Sequence, residues 1–454
     1  MVDHKQADQY IESNLDASLA ELATLCAVPS VAAQGIGIDE AVEVVQAMLA
    51  KRGFKTEVMQ TGGAPVVYAE RKGRNTAKTL LFYNHYDVQP AEPLELWHTP
   101  PFEATRKDGK VYARGVSDDK GHFASRLFAL DSLLAQDSEL PCNIKFVVEG
   151  EEEIGSIHMP AFVKKHAEKL AADACIWEFG SVDVHDKPIQ YMGMRGICYV
   201  EMTVELLKSD VHSGLGGSIF PNAAWRLVWA LNSLKGPDGR IRIPGHYDKV
   251  VPPSELDRQL AAALPYEGDD YKERYGVKEF LRGTEGNPEL ALQEFLEPTM
   301  TISGLTAGYQ GPGTKTVLPA KASAKIDFRL VPNQTPADVM QGLRAFLDAE
   351  GFSDVQVKEL GSEPPGRTDP NDPFLNMVVE SAAEVYGVPM TRVPMSGGSG
   401  PNHAFLHYLK LPVATAGLGY PGALVHAPNE NIREDLYVKA TQHVARIVSK
   451  FAAA

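Results

Sequence analysis

Four short apolar runs, each ending in polar residues, constrain the fold of this chain more than any other feature. They are 79–88 (TLLFYNHYDV), 143–149 (NIKFVVE), 173–180 (DACIWEFG) and 411–419 (LPVATAGLG). Such runs, alternating with helical patterns, are typical of an α/β domain with a mostly parallel sheet. In these sheets the ligand site lies beyond the carboxyl ends of the strands. The sequence therefore predicts that His85, residues 149–153, Glu178 and the loop before His426 share one crevice.

The middle of the chain has a different pattern. Residues 197–206 and 322–331 alternate apolar and polar side chains, which predicts half-buried strands of an antiparallel sheet. Helical patterns follow near both, and the long stretch between those helices has no clear period. We predict a discontinuous α/β domain formed by 1–192 and 362–454. An α+β domain at 193–361 is inserted into it.

The composition bears on partners and compartment. The chain has 44 Lys+Arg and 59 Asp+Glu, a formal net charge of −15. This balance argues against a nucleic-acid partner, which requires clustered basic residues. The sequence contains no window of about 18 apolar residues, so no membrane span is predicted. The four cysteines are widely spaced without a CxxC pair, which favours a reducing compartment. We expect a cytoplasmic protein.

Two short motifs contain candidate metal ligands. His85 and Asp87 are two residues apart on a predicted strand, so their side chains point to the same face. A carboxylate so placed can orient a metal-bound imidazole, although an HxD pair alone is more often a surface histidine near an unrelated acid. Asp118 and Asp119 precede a predicted helix and, taken singly, would cap it.

An acidic cluster, EGEEE at 149–153, directly follows a predicted buried strand. Its carboxylates repel one another and raise each other's pKa values. Their burial would be costly without a cation, so a divalent metal ion is the natural counter-charge. The alternative is a solvated acidic loop. A lone late histidine, His426, would by itself more often be structural.

The order of these motifs along the chain resembles that of a known family. Matching stretches are NHYDVQP, ARGVSDDKG, EGEEEIGS, RGICYVEM, DVHSG, GTKTVLPAKASAKIDFRLVPNQTP, GGS and HAPNE. They resemble the co-catalytic di-zinc metallopeptidases, which include carnosinase-like dipeptidases, glutamate carboxypeptidase, acetylornithine deacetylase and succinyl-diaminopimelate desuccinylase. The resemblance covers nearly the whole chain. It is closest to the carnosinase-like branch, because RGICY and the insert around PGHYDKVVPP look like that branch.

The resemblance implies a site for two divalent ions, usually zinc and sometimes manganese or cobalt. His85, Asp118 and Glu178 would hold one ion. Asp118, Glu153 and His426 would hold the other, so that Asp118 bridges the two. The carnosinase-like branch often has Asp where this chain has Glu178, whereas other branches have Glu.

Two further expectations concern the neighbours of these ligands. Asp87 would orient His85 in this family. The family also has a non-proline cis peptide after the bridging acid, which predicts one between Asp118 and Asp119.

The resemblance also implies catalytic and substrate-binding roles. Glu152 would be the general base toward a water shared by the two ions and later the acid toward the leaving amine. His212 would stabilise the oxyanion, and in relatives it reaches the partner subunit's site. Arg329 would bind the substrate carboxylate, or it could be an ordinary strand residue in an ion pair. Thr316 and Ser399 match substrate-contact positions.

These observations predict a metal-dependent peptidase acting on dipeptides or short peptides with a free carboxyl terminus. The discontinuous α/β domain, 1–192 and 362–454, would be the catalytic metallopeptidase domain. The inserted domain would act as a lid and as the interface of a homodimer. No membrane or nucleic-acid partner is expected. One alternative is an N-acyl-amino-acid deacylase or desuccinylase with the same site. The other is a non-catalytic binding homologue.

Overall fold

The computed structural model describes residues 2–454. Its strands are β1 (Lys55–Met59), β2 (Val66–Arg71), β3 (Asn75–His85), β4 (Thr105–Lys107), β5 (Lys110–Tyr112), β6 (Cys142–Glu149), β7 (Ala174–Trp177), β8 (Ser181–Val182), β9 (Pro188–Tyr191), β10 (Gly193–Met194), β11 (Gly196–Glu205), β12 (Val211–His212), β13 (Thr299–Ala307), β14 (Val317–Leu318), β15 (Lys321–Leu330), β16 (Gln356–Glu363), β17 (Gly366–Arg367), β18 (Thr391–Val393), β19 (Val413–Thr415) and β20 (Asn431–Arg433).

The α-helices follow the same order along the chain. They are α1 (His4–Ser13), α2 (Leu15–Cys26), α3 (Ile38–Lys51), α4 (Lys120–Leu134), α5 (Met159–Lys165), α6 (Ala167–Leu170), α7 (Ser213–Gly216), α8 (Ala223–Leu234), α9 (Glu255–Ala263), α10 (Gly268–Tyr275), α11 (Glu289–Leu296), α12 (Pro336–Ala349), α13 (Pro373–Tyr386), α14 (Asn402–Ala404) and α15 (Glu434–Ala453). No helix within residues 2–454 combines the length and the apolar character that crossing a membrane requires.

The chain forms two compact units. Unit 1 comprises Met1–Gly193, Arg367–Val393 and Pro401–Ala454, and unit 2 comprises Met194–Gly366 and Pro394–Gly400. The segment Pro394–Gly400 differs from the predicted division, which assigned it to the catalytic domain. Its Met395 is buried in a small apolar cluster of unit 2 with Leu292 and Leu296.

Unit 1 is built around a six-stranded sheet in the order β1-β2-β6-β3-β7-β19. Strands β6, β3, β7 and β19 are mutually parallel, and β1 and β2 add an antiparallel edge. The four parallel strands correspond to the four apolar runs of the sequence. The predicted fold class, a mostly parallel sheet with an inserted α+β domain, is therefore confirmed.

Helices cover both faces of this sheet. Phe82 and Phe146 belong to a core with α2, α3, α4 and α15, and their rings stack at 5.0 Å. The next residue of β3, Tyr83, points to the other face because successive strand side chains alternate. There it stacks on Trp177 with ring centroids 4.0 Å apart and also contacts Phe405. Burial on both faces explains why these strands are apolar throughout.

Unit 2 contains a four-stranded antiparallel sheet in the order β13-β15-β11-β16. In β11 and β15 buried residues alternate with more exposed ones, as the sequence pattern predicts. The buried side chains form a core with α8 and α12. Strand β13 is an edge strand with exposed Ile302 and Leu305.

Two helical regions differ from the sequence interpretation. Residues 5–26 have apolar side chains at three- and four-residue spacing, which predicts one amphipathic helix. The structure has two helices there, α1 and α2, because Asn14 leaves helical geometry with φ −115° and ψ 14°. The stretch without a clear period contains α9, α10 and α11. Helix α9 begins at a capping box formed by Ser254 and Asp257. Each of these helices has only eight or nine residues, too few to show a period.

Candidate metal centre

The carboxyl ends of three parallel strands bring chemically active residues to one edge of the sheet in unit 1. Strand β3 ends at His85, and its register places His85 opposite Glu149, the last residue of β6. Glu178 directly follows β7. His85 and Glu178 are 1% and 5% exposed, so this edge is a buried, polar floor.

Asp118 lies between two imidazoles. Its Oδ1 is 3.0 Å from His85 Nε2, and its Oδ2 is 3.1 Å from His426 Nε2. His426 Nε2 is also 3.1 Å from Glu153 Oε2. One ligand atom from each of Asp118, Glu153 and His426 lies within 4.8 Å of the other two. A carboxylate with a different imidazole at each oxygen has the geometry of a bridge between two cations.

Asp87 contacts both His85 and the acidic turn. The Nδ1 of His85 lies 3.0 Å from the Asp87 carbonyl oxygen and 3.4 Å from its Oδ1. In the neutral ring Nδ1–H therefore donates, which leaves the lone pair on Nε2. The Asp87 carboxylate also accepts the backbone N–H groups of Glu152 and Glu153 at 3.2 and 3.0 Å. Asp87 therefore connects His85 to the turn that follows β6.

Glu178 has a carboxylate oxygen free for a cation. Its Oε1 accepts a hydrogen bond from Trp177 Nε1 at 3.1 Å. Its Oε2 is buried and has no hydrogen-bond partner among the described residues. Burial raises the pKa of this carboxyl well above its usual value, and the charge of Glu152 adds to the effect. Because an unpaired buried polar atom is costly, this oxygen fits a metal ligand.

The two acids of the turn Glu152–Ile154 have different surroundings. Glu153 Oε2 accepts a hydrogen bond from Gln89 Nε2 at 2.9 Å and faces His426. Burial raises the pKa of Glu152 well above its usual value, and the charges of Asp118 and Glu153 add to this against that of His85. Glu152 is thus next to the candidate ligands without the histidine contact that Glu153 makes.

The neighbouring acids raise the pKa values of the two histidines, His85 and His426. Hydrogen bonds to Asp118 and Glu153 raise the pKa of His426 to about 10. Burial lowers the pKa of His85, but hydrogen bonds to Asp118 and Asp87 outweigh it and raise that pKa well above its usual value. A divalent ion would displace these protons, because imidazole binds metal in its neutral form. The donor set of imidazoles and carboxylates fits zinc.

The peptide bond between Asp118 and Asp119 is cis, as the family resemblance predicts. Asp119 occupies the N-cap position of α4, as the capping interpretation predicts, but its side chain makes no capping hydrogen bond to that helix. It accepts hydrogen bonds from Asn84 Nδ2 at 2.5 Å and the His85 backbone N–H at 3.1 Å. Burial raises its pKa to about 7.

Sequence reasoning missed Glu430 in HAPNE. This buried acid accepts a hydrogen bond from the Asp118 backbone N–H at 3.0 Å. The signal was available, since Glu430 belongs to the same short motif as His426. Sequence proximity to a candidate ligand does not, however, show whether an acid contacts the backbone of another ligand or is an ordinary loop acid.

The predicted oxyanion donor, His212, and the three predicted substrate-binding residues form two pairs in unit 2. His212 Nδ1 accepts the Gly214 backbone N–H at 3.0 Å, and its Nε2 lies 3.2 Å from Thr316 Oγ1. Arg329 Nη1 donates to Ser399 Oγ at 2.9 Å. The ion-pair alternative for Arg329 is also present, because its Nε lies 3.4 Å from Asp327 Oδ1.

Comparison with known proteins defines the class of this chain. Residues 81–450 match the family described as peptidase family M20/M25/M40, so the chain belongs to that family. A solved M20 metallo-carboxypeptidase, Sso-CP2 from Sulfolobus solfataricus, has a TM-score of 0.90 and 36% identity, with 96% of this chain and 99% of that chain covered.

Two curated relatives are dipeptidases. The Beta-Ala-His dipeptidase of Rattus norvegicus is 33% identical over 287 residues, 63% of this chain and 58% of the relative. The Cys-Gly metallodipeptidase dug1 of Schizosaccharomyces pombe is 27% identical over 467 residues, 98% of this chain and 97% of the relative. The aligned part thus spans little more than half of the rat enzyme. The resemblance to the carnosinase-like branch is confirmed.

Proposed function

We propose that this protein hydrolyses dipeptides or short peptides with a free carboxyl terminus in a metal-dependent reaction. The observation that carries the proposal is Asp118 held between His85 and His426, with Glu152 and Glu153 on the adjoining turn. The relatives support the substrate class, because their names describe two dipeptidases and a carboxypeptidase.

The cofactor in this proposal is a pair of divalent ions, with zinc as the native metal. His85, Asp118 and Glu178 would hold one ion, and Asp118, Glu153 and His426 the other. Such a pair, when bound, supplies Lewis-acid chemistry and lowers the pKa of water toward neutrality. The unpartnered Glu178 Oε2 supports its assignment as a ligand.

Glu152 is the general acid–base in this proposal. It takes a proton from the attacking water and then delivers that proton to the leaving amine. Its raised pKa supports this role, because a carboxyl with a raised pKa can hold the proton between the two transfers. Asp87 orients the turn by accepting the Glu152 and Glu153 N–H groups.

Unit 2 supplies substrate recognition in the proposal. Because His212 Nδ1 accepts a backbone N–H, the proton of the neutral ring lies on Nε2, which makes Nε2 a donor suited to an oxyanion. Arg329 has a planar guanidinium suited to a carboxylate. Ser399 holds its Nη1, and Thr316 contacts His212. All four residues belong to unit 2.

We further propose that unit 1 is the catalytic domain and that unit 2 is the lid and homodimerisation domain. Helix α8 exposes two tryptophans, Trp225 at 58% and Trp229 at 55%, whose rings stack at 6.0 Å. Strand β13 offers an unpaired sheet edge with apolar residues. Exposed apolar patches and open edges favour association, and a second copy of the chain can pair with both.

We also propose a cytoplasmic location, which the four free, buried cysteines support.

The test is a substrate panel with the metal-replete enzyme. We expect β-Ala-His or Cys-Gly to be cleaved, activity to disappear with a chelator, and zinc, manganese or cobalt to restore it. Faster turnover of acetyl or succinyl amino acids than of any dipeptide would favour a deacylase or desuccinylase. If no small amide showed metal-restorable hydrolysis, a binding homologue would replace the enzyme.

A further inference from the structure

We propose that Glu430 is a positioning residue, which holds the segments carrying Asp118 and His426 in register so that both can bind metal. The inference rests on the proposed metal-dependent function and adds a residue that neither binds the ion nor touches substrate.

The carboxylate of Glu430 binds the loop that ends in Asp118. Its Oε2 accepts from Arg114 Nη1 at 2.7 Å and from the Gly115 backbone N–H at 2.9 Å. Its Oε1 accepts from the backbone N–H groups of Ser117 and Asp118 at 2.9 and 3.0 Å. Four donors thus occupy the four lone-pair sites of one carboxylate. Glu430 is therefore engaged as an acceptor and is not available as a metal ligand.

The backbone of Glu430 fixes the segment that carries His426. Its carbonyl oxygen accepts the Ala113 N–H at 3.2 Å, and the next residues form β20, which pairs with β5. Between His426 and Glu430, Asn429 accepts the His98 N–H at 2.7 Å and donates to the Leu96 carbonyl at 2.9 Å. The segment from His426 to β20 is therefore held at several points.

Burial makes this arrangement sensitive to the charge of Glu430. Glu430 and Arg114 are each 1% exposed, and Arg114 also lies over the Trp97 ring at 5.4 Å. A buried ion pair that loses one partner leaves an uncompensated charge. Replacing the carboxylate with an amide would also place an NH₂ group against N–H donors. The loop around Asp118 would then have to move.

The experiment compares Glu430→Gln with Asp131→Asn. Asp131 forms a bidentate contact with the buried Arg52 at 2.8 and 2.6 Å. The Arg52–Asp131 ion pair is the control for the Arg114–Glu430 ion pair, because it does not contact a candidate ligand. We expect both variants to lower the Tm. Only Glu430→Gln should weaken zinc affinity, by about 10–100-fold, measured by competition with a chromogenic chelator. It should also speed amide hydrogen exchange at residues 113–118.

A folded Glu430→Gln variant with zinc affinity within about twofold of wild type would overturn the proposal, and so would an equal loss in Asp131→Asn. If Glu430→Gln does not fold, Glu430→Asp keeps the charge with a shorter reach. The same affinity loss is then expected, and wild-type affinity would overturn the proposal. Zinc binding without peptide hydrolysis in the wild-type chain would refute the proposed function alone, while the affinity comparison still decides the role of Glu430.

Discussion

The adjacent carboxylates of Glu152 and Glu153 differ in their surroundings because the turn Glu152–Ile154 directs them to different neighbours. Glu153 faces His426 at 3.1 Å, whereas Glu152 is half-buried beside the candidate ligands with a raised pKa. Asp87 holds both N–H groups of the turn. In the proposed mechanism, local backbone geometry thus separates the metal ligand Glu153 from the general base Glu152.

We predict that Glu152→Gln retains metal but loses catalysis. The amide keeps the shape of the side chain and cannot transfer the proton, so kcat should fall by about 10²–10⁴-fold. Steady-state kinetics and elemental analysis would measure the two effects. Glu151→Gln is the control, because Glu151 pairs with His158 at 2.7 Å. Native kcat in Glu152→Gln would show that the base is a different residue.

His426→Ala should lose metal instead. His426 contacts Asp118 and Glu153 through one nitrogen, so its removal takes a ligand from one ion. We expect bound metal after dialysis to fall from two ions per chain to one. His407→Ala, which removes an exposed histidine stacked on His403, should leave the metal content unchanged. Two retained ions in His426→Ala would exclude His426 as a ligand.

Sequence reasoning identified candidate ligands because their motifs occur in a fixed order along the chain. The structure brings Asp118, Glu153 and His426 together. Sequence reasoning could not predict that Glu178 has an unpartnered oxygen, because that depends on how Trp177 and its surroundings pack. Glu430 was missed for a similar reason, since its donors are backbone N–H groups and a side chain over 300 residues away in sequence.

Among the elements, predictability follows length and burial. The strands β3 and β6 and the helix α12 match the sequence patterns closely, because their apolar residues recur along the whole element and are buried in a core. The short helices α9, α10 and α11 lack that signal. Helix α15 shows how burial affects titration, since His443 on its buried face lies 3.0 Å from both Ser381 Oγ and the Val378 carbonyl.

We predict that His443 makes stability fall in mild acid. Burial lowers its pKa to about 4 from 6.5, so the unfolded state binds more protons between these values. Its contribution is complete above about pH 6.5 and decreases as the pH falls toward 4. At pH 5 the contribution of His443 to the free energy of unfolding should be about 2 kcal/mol smaller than at pH 7.5.

His443→Gln tests this prediction in denaturant unfolding at both pH values. The variant cannot take up the proton, so its loss of stability between pH 7.5 and pH 5 should be smaller than that of wild type by about 2 kcal/mol. Identical pH dependence in the two proteins would contradict a neutral, buried His443.

At the scale of the whole molecule, the candidate metal ligands belong to unit 1, whereas His212, Thr316, Arg329 and Ser399 belong to unit 2. If these residues have the proposed roles, substitutions in one unit should alter metal binding and substitutions in the other should alter substrate recognition. The antiparallel sheet was predictable from its alternation. The assignment of Pro394–Gly400 to unit 2 was not predictable, because it depends on the packing of Met395 against distant helices.

The proposed homodimer depends on the exposed face of α8. The double variant Trp225→Glu, Trp229→Glu should shift the protein from dimer to monomer in light scattering after size-exclusion chromatography. Val184→Glu alters a 71%-exposed apolar residue of unit 1 and should leave the dimer intact. A dimer that persists in the double variant would place the interface elsewhere.

Anomalous diffraction from crystals grown with zinc is the most direct test of the central claim that Asp118 bridges two divalent ions. The account predicts two peaks per chain, one bound by His85 and Glu178 and the other by Glu153 and His426, with a different oxygen of Asp118 on each. A single peak, or none under metal-replete conditions, would contradict it.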